Sequence, residues 1–333
     1  MIRSAVVGTG YLGKFHAEKY HKIKDTQLLA VVDSDEATAR KIAKSVKAQP
    51  LTSYKELPAL GVECASVVTP TSTHFEVASW LLENGIDVLL EKPMTTTVED
   101  ARRLIEIASS NGRVLQVGHL ERFNPAFRAM KEVLNRPWFF EVRRIAQFTG
   151  RGADVDVVMD LMIHDIDIIA HLVNQPVLKV EAVGIPVLTG SVDIANARLT
   201  FEGGTIANVT ASRAAFKSER SIRIFQPDLY ISLDYGKKKL KIYQKTEGFD
   251  SLLGIPKIDI KELKVEERDA LEHEIDSFLR CVRERGTPEV TGQDGLRALE
   301  LADRIRMAFA EHLQSLGFDS SSFGEAAAAR AAG

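Results

Sequence analysis

Gly8-Thr9-Gly10-Tyr11-Leu12-Gly13 is the stretch that decides the fold of the first part of the chain. It follows the apolar run Ser4–Val7 and opens an amphipathic run that continues to His21, so it lies between a strand and a helix. The first glycine permits a tight turn, the second lets a pyrophosphate approach the backbone, and the third allows close helix–strand packing. The N–H groups at the start of the helix would then bind phosphate. The stretch therefore predicts a dinucleotide site.

The second predicted strand carries a further part of this site. Leu28–Val32 is followed by Asp33, 20 residues beyond Gly13, where a carboxylate binds the adenosine ribose hydroxyls of a dinucleotide. The same charge repels the 2′-phosphate of NADP, and the next residues, Ser34-Asp35-Glu36, include no arginine that could bind it. We therefore expect NAD rather than NADP as the cofactor, with Ser34 beside Asp33 in the site.

Strand and helix patterns divide the chain into two domains. Up to about residue 120, short apolar strands alternate with amphipathic helices, which predicts an α/β Rossmann domain with a doubly wound parallel sheet. Beyond it, successive strands with turns at Gly203-Gly204 and Tyr235-Gly236 predict an α+β domain with a large, open, mostly antiparallel sheet. We expect domains at 1–122 and 123–318, with the C-terminal helices able to pack back on the first, and a flexible tail at 319–333.

Composition and charge exclude several classes of partner. Of the 333 residues, 45% are apolar and 27% charged, and the formal net charge of −3 comes without a long basic run. Neither nucleic acid nor a membrane surface is therefore an expected partner. Cys64 and Cys281 form no CxxC pair and the histidines show no ligand spacing, so we expect no metal site. Without a membrane-spanning run or a signal-like segment, we expect a cytoplasmic location.

Glu91-Lys92-Pro93 carries more specific information. It comes directly after the apolar strand Ile86–Leu90, at the carboxyl edge of the sheet where open α/β folds bind their ligands. The triplet resembles the glucose–fructose oxidoreductase/inositol dehydrogenase/MocA family, and the resemblance covers nearly the whole chain. Its other motifs in this sequence are the glycine-rich stretch, Asp33, Thr69-Pro70, His74 and Val290–Leu299.

The resemblance implies an NAD-dependent oxidoreductase and assigns a role to Lys92. This residue would contact both the substrate hydroxyl and the nicotinamide ribose, where its ammonium group could stabilise a developing alkoxide. Whether the bond before Pro93 is cis stays open, because most X–Pro bonds are trans. The cofactor site that the motifs and the resemblance indicate comprises Gly8, Thr9, Gly10, Tyr11, Leu12, Gly13, Asp33, Ser34, Thr69, Pro70, Thr71, His74, Glu91, Lys92 and Pro93.

A second cluster of chemically active residues lies in the predicted helix from Val157 to Val173. Asp160 and His164 are four residues apart and so share one face of an α-helix. The family has a matching Asp-x-x-x-His, and the resemblance implies that His164 is the general acid/base and that Asp160 orients the substrate or the imidazole. We predict Lys92, Asp160 and His164 as the catalytic residues, with Asp160 and His164 also binding the substrate.

The segment Gly118–Phe127 leads from the first sheet into the second domain, a natural wall for a binding cleft. It resembles the branch of the family that acts on nucleotide sugars, which implies oxidation of the 3-hydroxyl of UDP-N-acetylglucosamine. Arg122 and Asn124 would bind diphosphate or sugar hydroxyls, and Phe123 would stack on a ring. Asn124 also suits the N-cap of the following helix. Arg213 and Arg220 are further candidates for the diphosphate, or they lie on a solvated face.

Two other functions remain open from the sequence. The substrate could be a free sugar or a polyol such as inositol, or the protein could be a non-catalytic sensor of NAD or of a nucleotide sugar. A sensor needs no proton path, so the joint presence of Lys92, Asp160 and His164 favours an enzyme. Exposed apolar sheet faces tend to pair, and the resemblance likewise implies a homodimer or homotetramer formed through the C-terminal sheet.

Overall fold

The computed structural model describes residues 1–148, 155–237, 239–249, 255–264 and 269–318. Two compact units divide the chain, one comprising Met1–Asn124 and Arg268–Leu299, the other Pro125–Glu267 and Glu300–Gly333. The first boundary lies two residues beyond the one predicted, and most of the predicted C-terminal helical region clusters with the first unit. The predicted tail, 319–333, lies outside the described residues.

The first unit is built around a six-stranded parallel sheet. Its strands are β1 (Ile2–Val7), β2 (Thr26–Val32), β3 (Gln49–Leu51), β4 (Cys64–Val67), β5 (Asp87–Glu91) and β6 (Leu115–Gly118). They follow the order β3-β2-β1-β4-β5-β6, and every neighbouring pair is parallel. The predicted doubly wound Rossmann sheet is confirmed.

Helices connect these strands and continue through the second unit. They are α1 (Tyr11–Lys22), α2 (Glu36–Val46), α3 (His74–Glu83), α4 (Val98–Ser110), α5 (Pro125–Val133), α6 (Ile163–Val173), α7 (Ala270–Glu284) and α8 (Gly292–Ser315). In the first unit, α1, α2 and α7 pack on the sheet and share one apolar cluster with it, to which Tyr20, Ile42 and Phe278 contribute. Because helices cover it, β4 is buried at every position and β1 at nearly every one.

The second unit contains an eight-stranded sheet. Its strands are β7 (Phe139–Ile145), β8 (Val177–Ile185), β9 (Ile194–Phe201), β10 (Ile206–Ser212), β11 (Glu219–Gln226), β12 (Leu229–Asp234), β13 (Lys239–Phe249) and β14 (Pro256–Lys264). Their order is β14-β13-β12-β11-β7-β10-β9-β8, and every neighbouring pair is antiparallel except β7 with β10. This confirms the large, mostly antiparallel sheet expected from the sequence.

Some elements differ from the sequence predictions. No strand was predicted at β14, whose side chains are mostly exposed. Its apolar alternation is limited to Ile258 and Ile260, and the strand forms the edge of the sheet by pairing with β13. The predicted α-helix from Val157 instead begins with a π-helical segment, Val158–Met162. The turn glycines Gly203 and Gly204 have φ values of +81° and +89°, as a tight turn requires. Among the described residues, no helix is both long and apolar enough to cross a membrane.

Candidate active site

The glycine-rich turn after β1 has the geometry that its sequence predicts. Gly8 has a φ of +88°, and a Cβ placed on it would lie 2.5 Å from the carbonyl oxygen of Val68. A Cβ on Gly13 would lie 1.8 Å from the carbonyl oxygen of Gly8. At Gly10, no atom of the described residues lies within 4 Å of the Cβ position. Packing of the turn therefore requires Gly8 and Gly13, whereas Gly10 keeps space open above the helix.

The N-terminus of α1 is suited to binding an anion. Gly10 is the N-cap and no side chain caps the helix, whose first turn also contains no acidic residue. The N–H groups of this turn and the positive end of the helix dipole therefore favour a phosphate group. The side chains of Tyr11 and Leu12 are exposed at the same end of the helix. These features fit the pyrophosphate of a dinucleotide.

Asp33 joins the end of β2 to this turn. Its Oδ2 accepts two hydrogen bonds of 2.8 Å from Thr9, one from the N–H and one from the hydroxyl. Its Oδ1 accepts a bond of 3.1 Å from the N–H of Asp35. Thr9 is buried, whereas Asp33 is partly exposed. The carboxylate is therefore held in place by the glycine-rich turn and remains accessible to a ribose hydroxyl.

His74 joins the loops that follow β4 and β5. Its Nδ1 lies 2.9 Å from the carbonyl oxygen of Pro93, and its Nε2 lies 2.9 Å from that of Thr69. Burial lowers the pKa of His74, so the ring is neutral and donates to one of these carbonyls at a time. The ring thus bridges two loops at the edge of the sheet. Cofactor contacts of His74, Thr69, Pro70 and Thr71 stay predictions.

The Glu91-Lys92-Pro93 segment ends β5, and the Lys92–Pro93 peptide bond is cis. Glu91 Oε1 lies 3.1 Å from His16 Nε2, and Glu91 Oε2 accepts a bond of 3.3 Å from the N–H of Lys92. Although burial opposes ionisation, the contact with His16 and the charge of Lys92 lower the pKa of Glu91. The Lys92 backbone is therefore held from inside the unit, while the residue itself stays partly exposed.

Two alanine substitutions distinguish a glycine that the packing of the turn requires from one that leaves space for the cofactor. Gly10→Ala should leave the thermal unfolding temperature unchanged and weaken NAD binding by about 1.4 kcal/mol, a tenfold change, because the new methyl group enters open space beside the phosphate position. Gly13→Ala should also lower the free energy of unfolding by about 3 kcal/mol, because its Cβ collides with backbone. Thermal unfolding and NADH fluorescence titration measure both effects. Equal destabilisation by the two variants would contradict this assignment.

The segment after β6 differs from its predicted role. Arg122 is 3% exposed, and its guanidinium lies 3.5 Å from Asp294 Oδ1. Phe123 is 0% exposed, and Asn124 donates a bond of 3.1 Å from Nδ2 to Glu121 Oε2. In this conformation Arg122 and Phe123 belong to the protein interior, and Phe123 has no exposed ring face for stacking on a sugar. Substrate contacts of Arg122, Phe123 and Asn124 stay predictions.

The second unit carries Asp160 and His164 at an unusual helical junction. Asp160 lies within the π-helical segment, and His164 lies in the first turn of α6. Both residues are partly buried. A π-helical turn is rare and occurs frequently at functional sites, because its wider winding changes the direction in which a side chain points. The junction supports a special role for this pair, whose catalytic function stays a prediction.

Asp165, next to His164, has a structural role. Arg144 of β7 donates to it twice, from Nε at 2.7 Å and from Nη2 at 2.9 Å, and both side chains are buried. A bidentate pair of this kind fixes the position of both groups. It therefore anchors the first turn of α6, and with it His164, to the sheet of the second unit.

Arg213 is also part of the interior of the second unit, so the solvated face considered for it is wrong, and its contact with a diphosphate stays a prediction. It is 3% exposed and donates from Nε to Asp193 at 2.7 Å and from Nη1 to the carbonyl oxygen of Val155 at 2.8 Å. Burial alone would raise the pKa of Asp193, but the bond from Arg213 and backbone N–H groups, including that of Thr189, hold it well below its usual range. The pair stabilises the loop between β8 and β9.

Replacing Arg213 tests this structural role. Arg213→Met should lower the free energy of unfolding by about 3–5 kcal/mol, because it leaves the buried Asp193 carboxylate without its charged partner. Denaturant titration measures the change. Arg220→Met, at an exposed position on β11, is the control and should alter stability little. Unchanged stability combined with weaker substrate binding in Arg213→Met would instead identify Arg213 as a ligand of the substrate.

One buried acidic residue close to Glu91 was not among the residues predicted from the sequence. Glu274 of α7 is 0% exposed, and ligand atoms of His16, Glu91 and Glu274 lie within 4.8 Å of one another. The only sequence signal is the position of Glu274 on the apolar side of α7, beside Ile275 and Phe278, both of which are buried. An acidic residue on an otherwise apolar helix face is rarely buried without a partner.

Comparisons with known proteins agree with this architecture. Residues 2–119 match the family described as "Oxidoreductase family, NAD-binding Rossmann fold", and residues 129–228 match the GFO/IDH/MocA C-terminal domain. The chain is 37% identical to a UDP-N-acetylglucosamine 3-dehydrogenase of Acidithiobacillus ferrooxidans, over 94% of this chain and 99% of that protein. A structure of that enzyme superposes with a TM-score of 0.89 over the same shares. A scyllo-inositol 2-dehydrogenase (NAD(+)) of Bacillus subtilis is 26% identical over 90% and 92% of the two chains.

Proposed function

Because the chain belongs to the glucose–fructose oxidoreductase/inositol dehydrogenase/MocA family of oxidoreductases, we propose that it oxidises the 3-hydroxyl of UDP-N-acetylglucosamine to a ketone with NAD. The observation that carries the proposal is the similarity to an enzyme of that name along nearly the full length of both chains. Catalytic-type residues in both units, the partly exposed Lys92 and the partly buried Asp160–His164 pair, support an enzyme over a sensor.

The residues of the glycine-rich turn fit a dinucleotide. The space above Gly10 and the uncapped start of α1 suit a pyrophosphate, and Asp33 at the end of β2 suits the adenosine ribose. When bound, NAD supplies the acceptor for the hydride that leaves the alcohol carbon. The exposed residues Ser34, Asp35 and Glu36 place no positive charge beside Asp33, so we propose NAD rather than NADP as the cofactor.

In the proposed reaction the alcohol carbon loses a hydride and its hydroxyl loses a proton. Lys92 stabilises the negative charge that develops on the oxygen, an interaction that is stronger in the transition state than in the ground state. His164 accepts the proton, because a neutral imidazole is a competent base near neutral pH. Asp160, one turn earlier, orients the imidazole or the sugar. The π-helical turn that contains Asp160 supports this assignment.

Three parallel assays test the substrate. Purified protein is mixed with NAD and with UDP-N-acetylglucosamine, N-acetylglucosamine or myo-inositol, and NADH absorbance is followed while an aminotransferase removes the keto-sugar. Mass spectrometry identifies the product. We expect NADH to form with the UDP-sugar alone. Reaction with myo-inositol would support the second candidate, a polyol dehydrogenase, which the inositol dehydrogenase relative favours. Tight NAD binding without turnover on any alcohol would support a sensor.

A further inference from the structure

A buried carboxyl group in the first unit has no hydrogen-bond partner among the described residues. It belongs to Glu274 of α7, and the unpaired atoms are both of its side-chain oxygens. The side chain is 0% exposed. An isolated carboxylate in such a place is very unfavourable, because burial removes its hydration without any replacement. The group therefore needs either a proton or a cation.

The surroundings of Glu274 already contain one negative charge. The pKa of Glu91 is lowered, and its carboxylate lies with His16 Nε2 and a Glu274 oxygen in a set of atoms no more than 4.8 Å apart. Two carboxylates this close in the interior repel each other, so ionisation of both is energetically unfavourable. Burial, followed by the charge of Glu91, raises the pKa of Glu274 well above its ordinary value.

Hydrogen bonds on the opposite side of His16 indicate where the other protons lie. The Tyr20 hydroxyl lies 3.0 Å from Ser66 Oγ, which lies 3.2 Å from His16 Nδ1. Burial raises the pKa of Tyr20 well above its usual value, so its hydroxyl keeps its proton and can donate to Ser66. When Tyr20 donates to Ser66 and Ser66 donates to Nδ1, the proton of a neutral His16 ring lies on Nε2 and is directed at Glu91. The chain of donors runs from Tyr20 towards Glu91 and ends there.

We propose that Glu274 is a neutral carboxylic acid whose proton faces the nearby Glu91 carboxylate, stabilises its charge and thereby positions the backbone of Lys92. Glu91 accepts from His16 on one oxygen and from the N–H of Lys92 on the other, so it connects the buried network to the catalytic segment. Gly118 leaves room for this arrangement, since a Cβ there would lie 3.2 Å from Glu91 Oε1. Glu274 is a positioning residue, and the proposal rests on the proposed role of Lys92.

Infrared spectroscopy tests the protonation state without any substrate. At neutral pH an ionised carboxylate does not absorb in the region of a protonated carboxylic acid, so the difference spectrum of wild type minus Glu274→Gln should show one protonated carboxyl band. Glu272→Gln, two residues earlier on the exposed side of α7, is the matched control and should show none. Absence of the band in the Glu274 difference spectrum would overturn the proposal.

Two substitutions of Glu274 separate positioning from simple packing. Glu274→Gln keeps a donor for Glu91, so kcat and the Kd for NADH should stay within about threefold of wild type. Glu274→Leu fills similar space without a donor, so kcat should fall about ten- to a hundredfold because Lys92 loses its alignment. The melting temperature of the leucine variant should not fall, since replacing a buried polar group by a packed apolar one is often neutral. Equal activity of the two variants would show a structural role only.

Metal analysis tests the remaining alternative, in which a bound cation rather than a proton neutralises Glu274. A divalent cation held by His16, Glu91 and Glu274 would also neutralise the cluster. Elemental analysis of the purified holoenzyme should therefore find no stoichiometric metal, and a stoichiometric metal that is lost in Glu274→Gln would overturn the proposal. The infrared and metal measurements use no sugar. A wrong substrate assignment would leave them unchanged, so failure of the proposed function and failure of this inference are distinguishable.

Discussion

Replacement of Lys92 by alanine should lower the kcat for oxidation of the sugar about a thousandfold, the scale expected when one preorganised electrostatic donor is removed from a developing oxyanion. The Kd for NADH should change little, because we expect most cofactor contacts, those to the phosphates and the adenosine ribose, to come from the glycine-rich turn and Asp33. Steady-state kinetics gives kcat, and NADH fluorescence titration gives the Kd. The melting temperature should stay close to that of wild type, since Lys92 is partly exposed.

The control for Lys92→Ala is Lys44→Ala, which removes the same charge from an exposed position on α2. Lys92→Arg is a stricter test, because arginine keeps the charge but replaces a compact ammonium by a planar guanidinium. We expect Lys92→Arg to be nearly as inactive as Lys92→Ala. Wild-type turnover in Lys92→Ala would remove this residue from the mechanism and leave the substrate assignment to be judged by the product alone.

Substitution of His164 by asparagine should lower kcat about a hundred- to ten-thousandfold, as expected for loss of a general base. The pH profile of kcat/KM should also change, because the limb that reports protonation of the base disappears with His164. Asparagine keeps a polar side chain in the first turn of α6, so the Arg144–Asp165 pair beside it should be retained. Stopped-flow measurement of NADH formation over a pH series gives both quantities.

His171→Asn is the matched control for His164. It lies on the same helix, where its Nε2 contacts Lys131 at 2.9 Å, and should retain both wild-type kcat and the wild-type pH profile. The kcat of Asp160→Asn should lie between those of His164→Asn and His171→Asn. This substitution alters the orientation of the imidazole or the sugar but leaves the base in place. A His164→Asn variant with an unchanged pH profile would contradict the role of His164 as the base, even if its turnover were reduced.

The geometry of the glycine-rich turn and the position of Asp33 could be predicted from the sequence because both depend on local structure. Gly8 and Gly13 are needed where a strand turns into a helix, and the collisions that a Cβ would cause there involve backbone a few residues away or on the adjacent strand. Asp33 follows from its distance along the chain, since β1, α1 and β2 form one compact motif. Apolar runs likewise predicted the central strands.

Features that depend on partners distant in sequence could not be read in this way. Arg122 and Arg213 are typical surface residue types, and only the fold shows that Asp294 and Asp193 neutralise them in the interior. β14 pairs with β13 at the edge of the sheet, and its own apolar alternation is limited to Ile258 and Ile260. In the π-helical turn at Asp160, each backbone hydrogen bond spans one residue more than in an α-helix. The spacing of apolar residues in the sequence does not distinguish the two.

By itself, the sequence determined a Rossmann unit with a glycine-rich turn, a carboxylate at the end of β2 and a lysine at the end of β5, because each depends on short-range backbone geometry. Only the tertiary structure decided which charged groups are buried and which face solvent. Glu274 shows the reason most clearly. Its chemistry depends on Glu91 and His16, which lie more than 180 residues earlier in the chain and reach it only when α1, β5 and α7 pack together.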